Sequence, residues 1–124
     1  MNILDGKEVR KNILDNVKKD LEGINKTLGL AVISVGDDEA SKVYIRQKEK
    51  MAKELGYDFK QYKFAGNVDQ DEVLDLIDKL NEDDNVDAIL VQMPLPKQMD
   101  SNIIQNRCFF FIFCFIHFNC EYYK

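Results

Sequence analysis

Along the first hundred residues, stretches with apolar side chains at helical spacing alternate with short, nearly continuous apolar runs. Residues 7–26 carry Val9, Ile13, Val17, Leu21 and Ile24 on one stripe, with Asp5 available to cap the start, which predicts an amphipathic helix. Residues 28–34 (Leu-Gly-Leu-Ala-Val-Ile-Ser) are an apolar run closed by Val35-Gly36-Asp37-Asp38, the pattern of a buried strand and a turn. A second helix is predicted over 39–55, between Asp38 as N-cap and Gly56 as its stop. A weaker strand signal covers 57–63. Asp69-Gln70-Asp71-Glu72 resembles a capping box, with Asp in place of Ser or Thr, and opens a helix bearing Val73, Leu76, Ile77 and Leu80. Ala88-Ile89-Leu90-Val91-Gln92 reads as a third strand.

The three strand signals start near residues 29, 58 and 87, a repeat of about 30 residues with a helix in each interval, which is the length of a βαβ unit. The pattern therefore predicts an α/β fold: a three-layer domain with a small, mostly parallel sheet covered by helices. In open sheets of this kind ligands settle outside the carboxyl ends of the strands. Gln92 and the turn before the second helix both fall at that end.

Composition narrows the function. The chain has 124 residues, the length of about one domain, and a formal charge of -5. Its lysines are interleaved with acids, so it lacks the basic stripe that a nucleic-acid surface needs, while small anionic ligands stay open. The start, Met1-Asn2-Ile3-Leu4-Asp5-Gly6-Lys7, has neither the basic opening nor the apolar run of a secretory signal. A cytoplasmic location without a disulfide framework is the expectation.

One charge is out of place. Wound at about 100° per residue, the second helix gathers Lys42, Arg46, Glu49, Lys50, Lys53 and Glu54 on one flank, yet sets Lys48 among Tyr44, Met51, Ala52 and Leu55. Burial disfavours a charged lysine, which is how a lysine becomes an acid/base near neutral pH; alternatively its long stem snorkels to water. Ser41, Tyr44 and Lys48, at i, i+3 and i+7, lie within about 60° of one face and can meet one ligand. Tyr-x-x-x-Lys also occurs in short-chain dehydrogenases, but the glycines at 6, 23, 29, 36, 56 and 66 make no G-x-G-x-x-G turn. After the third strand, Pro94 and Pro96 hold Met93 and Leu95 extended, as a wall for a flat ligand or merely as the end of a strand.

Val35-Gly36-Asp37-Asp38-Glu39-Ala40-Ser41-Lys42-Val43-Tyr44 leading to Lys48, with Val91-Gln92-Met93-Pro94-Leu95-Pro96 further on and Ile3-Leu4-Asp5-Gly6-Lys7 at the start, resembles the bifunctional methylenetetrahydrofolate dehydrogenase/cyclohydrolase family over roughly residues 3–105. The resemblance implies oxidation of 5,10-methylene-tetrahydrofolate with NADP, or NAD in some members, and hydrolysis of the methenyl product to 10-formyl-tetrahydrofolate. By the same resemblance Lys48 is the catalytic acid/base, Tyr44 stacks on or orients the pterin and aminobenzoyl portion, and Gln92 hydrogen-bonds the lysine amine. Ser41 would support the pocket, and Pro94, Leu95 and Pro96 would line the folate cleft. Family members are commonly homodimers through their cofactor domain.

Beyond Asn106 the pattern departs from the family, which continues into an Asp-Val-Asp-Gly segment and a Rossmann-type NADP domain. All three cysteines (Cys108, Cys114, Cys120), the only histidine (His117) and six of the eight phenylalanines follow Arg107. The expected division is therefore 1–106, the folate-binding catalytic domain, and 107–124, an aberrant Phe/Cys-rich tail with the composition of an out-of-frame or read-through translation of T-rich DNA. The apolar stretch is too short for a membrane span, which needs about 20 residues. The cysteines lack the Cys-x-x-Cys pair of a zinc site. High β-propensity, low charge and no proline predict an aggregation-prone segment. With the cofactor domain missing and no NADP-binding residues in the chain, two readings follow: the folate and lysine half of the enzyme, or a non-catalytic remnant that binds folate weakly or serves as an interaction domain.

Overall fold

In the computed structural model of the chain, residues 5–108 are described. Helix α1 spans Gly6–Glu22, strand β1 Gly29–Val35, α2 Glu39–Glu54, β2 Asp58–Phe64, α3 Gln70–Asn81, β3 Ala88–Val91 and α4 Ser101–Arg107. The strands pair in parallel in the order β2-β1-β3. From β1 the chain moves one way to β2, then back across β1 to β3. Right-handed crossovers thus put the two connecting helices on opposite faces.

Core packing follows that topology. Ala31, Ile33 and Val35 of β1 join Ile89 and Val91 of β3, Val73, Ile77 and Leu80 of α3, and Met99, Ile104 and Cys108. On the other face Val32 and Leu90 meet Ile45 of α2, with Leu30 and Phe59 against them. The sheet is covered on both sides, which explains why β1 is buried along nearly its whole length.

The turns have local causes. Asp38 caps α2 by accepting the Ser41 N–H at 2.7 Å, and Gly56, at φ 77°, lets the chain leave the helix. At Gly29 a Cβ would lie 1.7 Å from the Asn85 carbonyl oxygen, so only glycine admits that loop against the sheet. Asp87 ties the same corner: its carboxylate accepts the Gly29 N–H at 2.8 Å and the Lys26 amine at 2.6 Å. These bonds, led by that from Lys26, hold Asp87 below the usual carboxylate range.

Four features depart from the sequence expectations. Helix α1 ends at Glu22, with Gly23 as its C-cap, rather than near residue 26, and it buries none of its residues. The capping box at Asp69 does not form: Asp69 makes no side-chain cap bond, and the Glu72 N–H is taken by the Asp69 carbonyl at 3.2 Å. The third strand stops at Val91, one residue before Gln92. Helix α4 was not anticipated. Asp100 caps it through the Asn102 and Ile103 N–H groups, while Arg107 makes a two-pronged contact with Asp78 of α3 at 2.6 and 2.8 Å. Arg107 and the buried Cys108 therefore pack with the domain instead of belonging to the tail. Burial raises the Cys108 thiol to about 11, so it is an inert core group. The remaining tail, with its expected aggregation segment, lies outside the described residues.

Candidate active site

Where neighbouring strands send their following segments to opposite faces, an open parallel sheet leaves a crevice at the strand ends. Here that switch point lies between β1 and β3. The first leads through Gly36 into α2 on one face, and the second leads through Gln92–Met93 towards α4 on the other. Gly36, at φ 88°, makes the sharp exit, and its N–H donates to the Phe64 carbonyl at 2.9 Å.

The crevice holds Lys48, Gln92 and Ser41. Gln92 is 6 % exposed, and its Oε1 accepts from Lys48 Nζ at 2.5 Å. Its Nε2 donates to the Met93 carbonyl at 2.7 Å, which fixes the amide with its oxygen towards the lysine. The buried Ser41 hydroxyl donates to the same carbonyl at 3.2 Å. The Met93 carbonyl thus joins α2 to the segment after β3, a role that no side-chain pattern could reveal. Lys48 is half-buried rather than sealed from water, so its amine is held at the protein surface of the cleft by a neutral, nearly fully buried partner.

The other expected residues divide. Tyr44 is half-buried, one helical turn before Lys48 on the same face. Pro94 is exposed, Pro96 half-buried, and Leu95 packs against the core on the α3 and α4 side. The Met93–Pro94 peptide is cis. One residue escaped notice: Ser34 of β1, buried within an apolar run whose length and hydrophobicity drew attention instead.

At the rim, Lys42 bridges Asp37 at 2.8 Å and Glu39 at 2.6 Å; the Lys42 ammonium holds Asp37 below the ordinary carboxylate range, and both carboxylates hold Lys42 above its own. A dinucleotide does not fit this turn. A pyrophosphate at the start of α2 would meet Asp37 and Asp38, where phosphate-binding turns offer glycines and open N–H groups. Among the described residues, no helix is long and apolar enough to cross a membrane.

A doubly covered parallel sheet with a lysine and a carboxamide converging at its switch point defines an α/β ligand-binding domain of the enzyme type. Comparison with known proteins makes the class specific. Residues 4–108 match the family model described as tetrahydrofolate dehydrogenase/cyclohydrolase, catalytic domain, and the chain belongs to that family. It is 46 % identical over 104 residues to the bifunctional protein FolD of Ruthia magnifica subsp. Calyptogena magnifica, covering 84 % of this chain and 38 % of the relative. Among solved structures, the Campylobacter jejuni bifunctional enzyme FolD is similar with a TM-score of 0.79 and 38 % identity, over 86 % of this chain and 39 % of that one. The Trypanosoma brucei dehydrogenase-cyclohydrolase, solved with NADP cofactor and an inhibitor, has a TM-score of 0.78 and 26 % identity over 86 % of this chain and 38 % of that one. The chain thus spans less than two fifths of the length of these relatives.

Proposed function

We propose that this chain is the part of a methylenetetrahydrofolate dehydrogenase/cyclohydrolase that binds the reduced folate and carries its acid/base lysine. The observation that supports the reading most is the 2.5 Å bond between Lys48 Nζ and the buried Gln92 Oε1 at the switch point. A half-buried amine held by a neutral, buried acceptor is oriented at the cleft, where it can take and return a proton.

Hydrolysis is the half of the chemistry that these residues can serve. Water adds to the cationic methenyl carbon, and a neutral Lys48 takes one of its protons. The second water proton passes to a ring nitrogen as its bond to that carbon breaks, leaving the formyl group on the other nitrogen, and Lys48 then releases its proton to solvent. Tyr44, beside Lys48, would stack on the folate rings. Ser41 would hold the Met93 segment in place, and Pro94 and Pro96 would border the cleft, with Leu95 anchoring that segment from the core side. No NADP step is assigned to these residues, because the acidic start of α2 does not suit that cofactor.

A second reading is a folate-binding domain without turnover, favoured by Leu95 facing the core and so leaving one cleft wall thin. Calorimetry with 5,10-methenyl-tetrahydrofolate on the wild-type and Lys48→Ala chains, alongside a hydrolysis assay, separates the two. Turnover in the wild type alone supports the enzyme; binding by both with turnover in neither supports the binding domain. A wild-type chain that binds no reduced folate sinks both.

A further inference from the structure

Ser34 is 6 % exposed, and its hydroxyl is a buried polar atom without a hydrogen-bond partner. Side chains alternate along a strand. Val32 faces Ile45 of α2, so Ser34, two residues on, faces the same side. The register pairs Val32 with Leu90 and Ile33 with Val91. One further step sets Ser34 beside Gln92, whose backbone N–H donates to the Ile33 carbonyl at 2.8 Å. Neighbouring strands lie about 4.8 Å apart, a gap that a side-chain rotation or one bridging water closes.

Gln92 has capacity to spare. A carboxamide offers two N–H donors and two acceptor lone pairs. The bonds to Met93 and Lys48 use one of each, leaving one donor and one lone pair. An unpaired buried hydroxyl destabilises the free chain, and a group kept at such a cost beside a candidate active site points to another state in which it is paired.

We propose that Ser34 is a positioning residue: its hydroxyl is the second donor to the Gln92 carboxamide and bonds to the spare lone pair of Oε1 when Lys48, still held by Gln92, also engages a bound reduced folate. The inference rests on the reading of Lys48 given above. Without that second donor, drawing the lysine towards the ligand would weaken the one bond to the buried Oε1 and hold the lysine back. The hydroxyl makes the sharing of the lysine possible.

The test uses the full chain with Ser34→Ala and Ser34→Thr, each also combined with Gln92→Leu. Calorimetry measures affinity for 5,10-methenyl-tetrahydrofolate, and thermal unfolding measures the free chain. Ser34→Ala is expected to leave the free-chain midpoint unchanged or raise it, because no bond is lost, while weakening folate affinity about tenfold. Ser34→Thr, which keeps the hydroxyl, is expected to retain the affinity, and Ser34→Ala is expected to cost nothing further once Gln92 is leucine. Equal affinity of the wild-type and Ser34→Ala chains, an undiminished loss in the Gln92→Leu background, or a lowered free-chain midpoint in Ser34→Ala overturns the role of Ser34 and leaves the folate reading standing. A wild-type chain that binds no reduced folate overturns the folate reading, and the role of Ser34 with it.

Discussion

Replacing Gln92 by leucine removes both polar ends of a nearly buried side chain while keeping much of its volume. Two bonds go: the acceptor for Lys48 at 2.5 Å and the donor to the Met93 carbonyl at 2.7 Å. The second loss is softened, because that carbonyl also receives the Ser41 hydroxyl at 3.2 Å. The first involves an amine that carries charge when protonated, for which about 1.5–3 kcal/mol is typical. If that energy orients Lys48 for the ligand, reduced-folate affinity measured by calorimetry drops about 10- to 100-fold in Gln92→Leu. Some of the same energy appears as stability. Each kcal/mol of it lost from the free chain lowers the midpoint of thermal unfolding by about 4–8 °C for a domain of this size. Gln92→Glu, which keeps an acceptor for Lys48, separates orientation from volume by retaining affinity better than leucine. Wild-type affinity together with a wild-type midpoint in Gln92→Leu would refute the pairing as the organiser of the site.

Further outcomes follow from other contacts. Gly29→Ala drives a Cβ into the Asn85 carbonyl, 1.7 Å away, and is expected to cost about 3 kcal/mol, read as a lowered urea midpoint. Ile77→Ala, in the fully buried core, is expected to cost about 2–5 kcal/mol by the same assay. Asp87 has a folded pKa below its ordinary 3.8, so its contribution is complete above that value and is lost as pH falls through the lowered one; thermal scans should show a shallower acid-side decline in Asp87→Asn. A chain ending after Cys108 is expected to stay monodisperse in light scattering at concentrations where the complete chain aggregates, since the apolar tail carries the aggregation signal.

The sheet was legible because β1 and β3 are buried along nearly their whole length and so read as continuous apolar runs, while β2, which interleaves polar and apolar residues and has no fully buried side chain, gave the weaker signal. The second helix was legible because its cap, its stop and its misplaced Lys48 are all local. Helix α4 was not: with seven residues and one buried side chain, Ile104, it is too short to show a period. The end of α1 was misjudged because Ile24 continues the stripe, although the helix stops at Gly23 and Ile24 is exposed. At the site, residue types on one helix face were readable from spacing. The pairing of Lys48 with Gln92 spans 44 positions and was available only through the family resemblance. Contacts made by the Met93 carbonyl, the inward turn of Leu95 and the unpaired state of Ser34 depend on tertiary placement, which no pattern in one sequence encodes.

The proposed function depends on one step, the movement of a proton on a bound folate by Lys48 oriented by Gln92. Its most direct test is the hydrolysis of 5,10-methenyl-tetrahydrofolate by the full chain and by Lys48→Met, followed as loss of methenyl absorbance against buffer alone. The expected outcome is a rate above buffer for the wild type and the buffer rate for Lys48→Met, with folate still bound by both. A wild-type rate equal to buffer, or an undiminished rate in Lys48→Met, would contradict it.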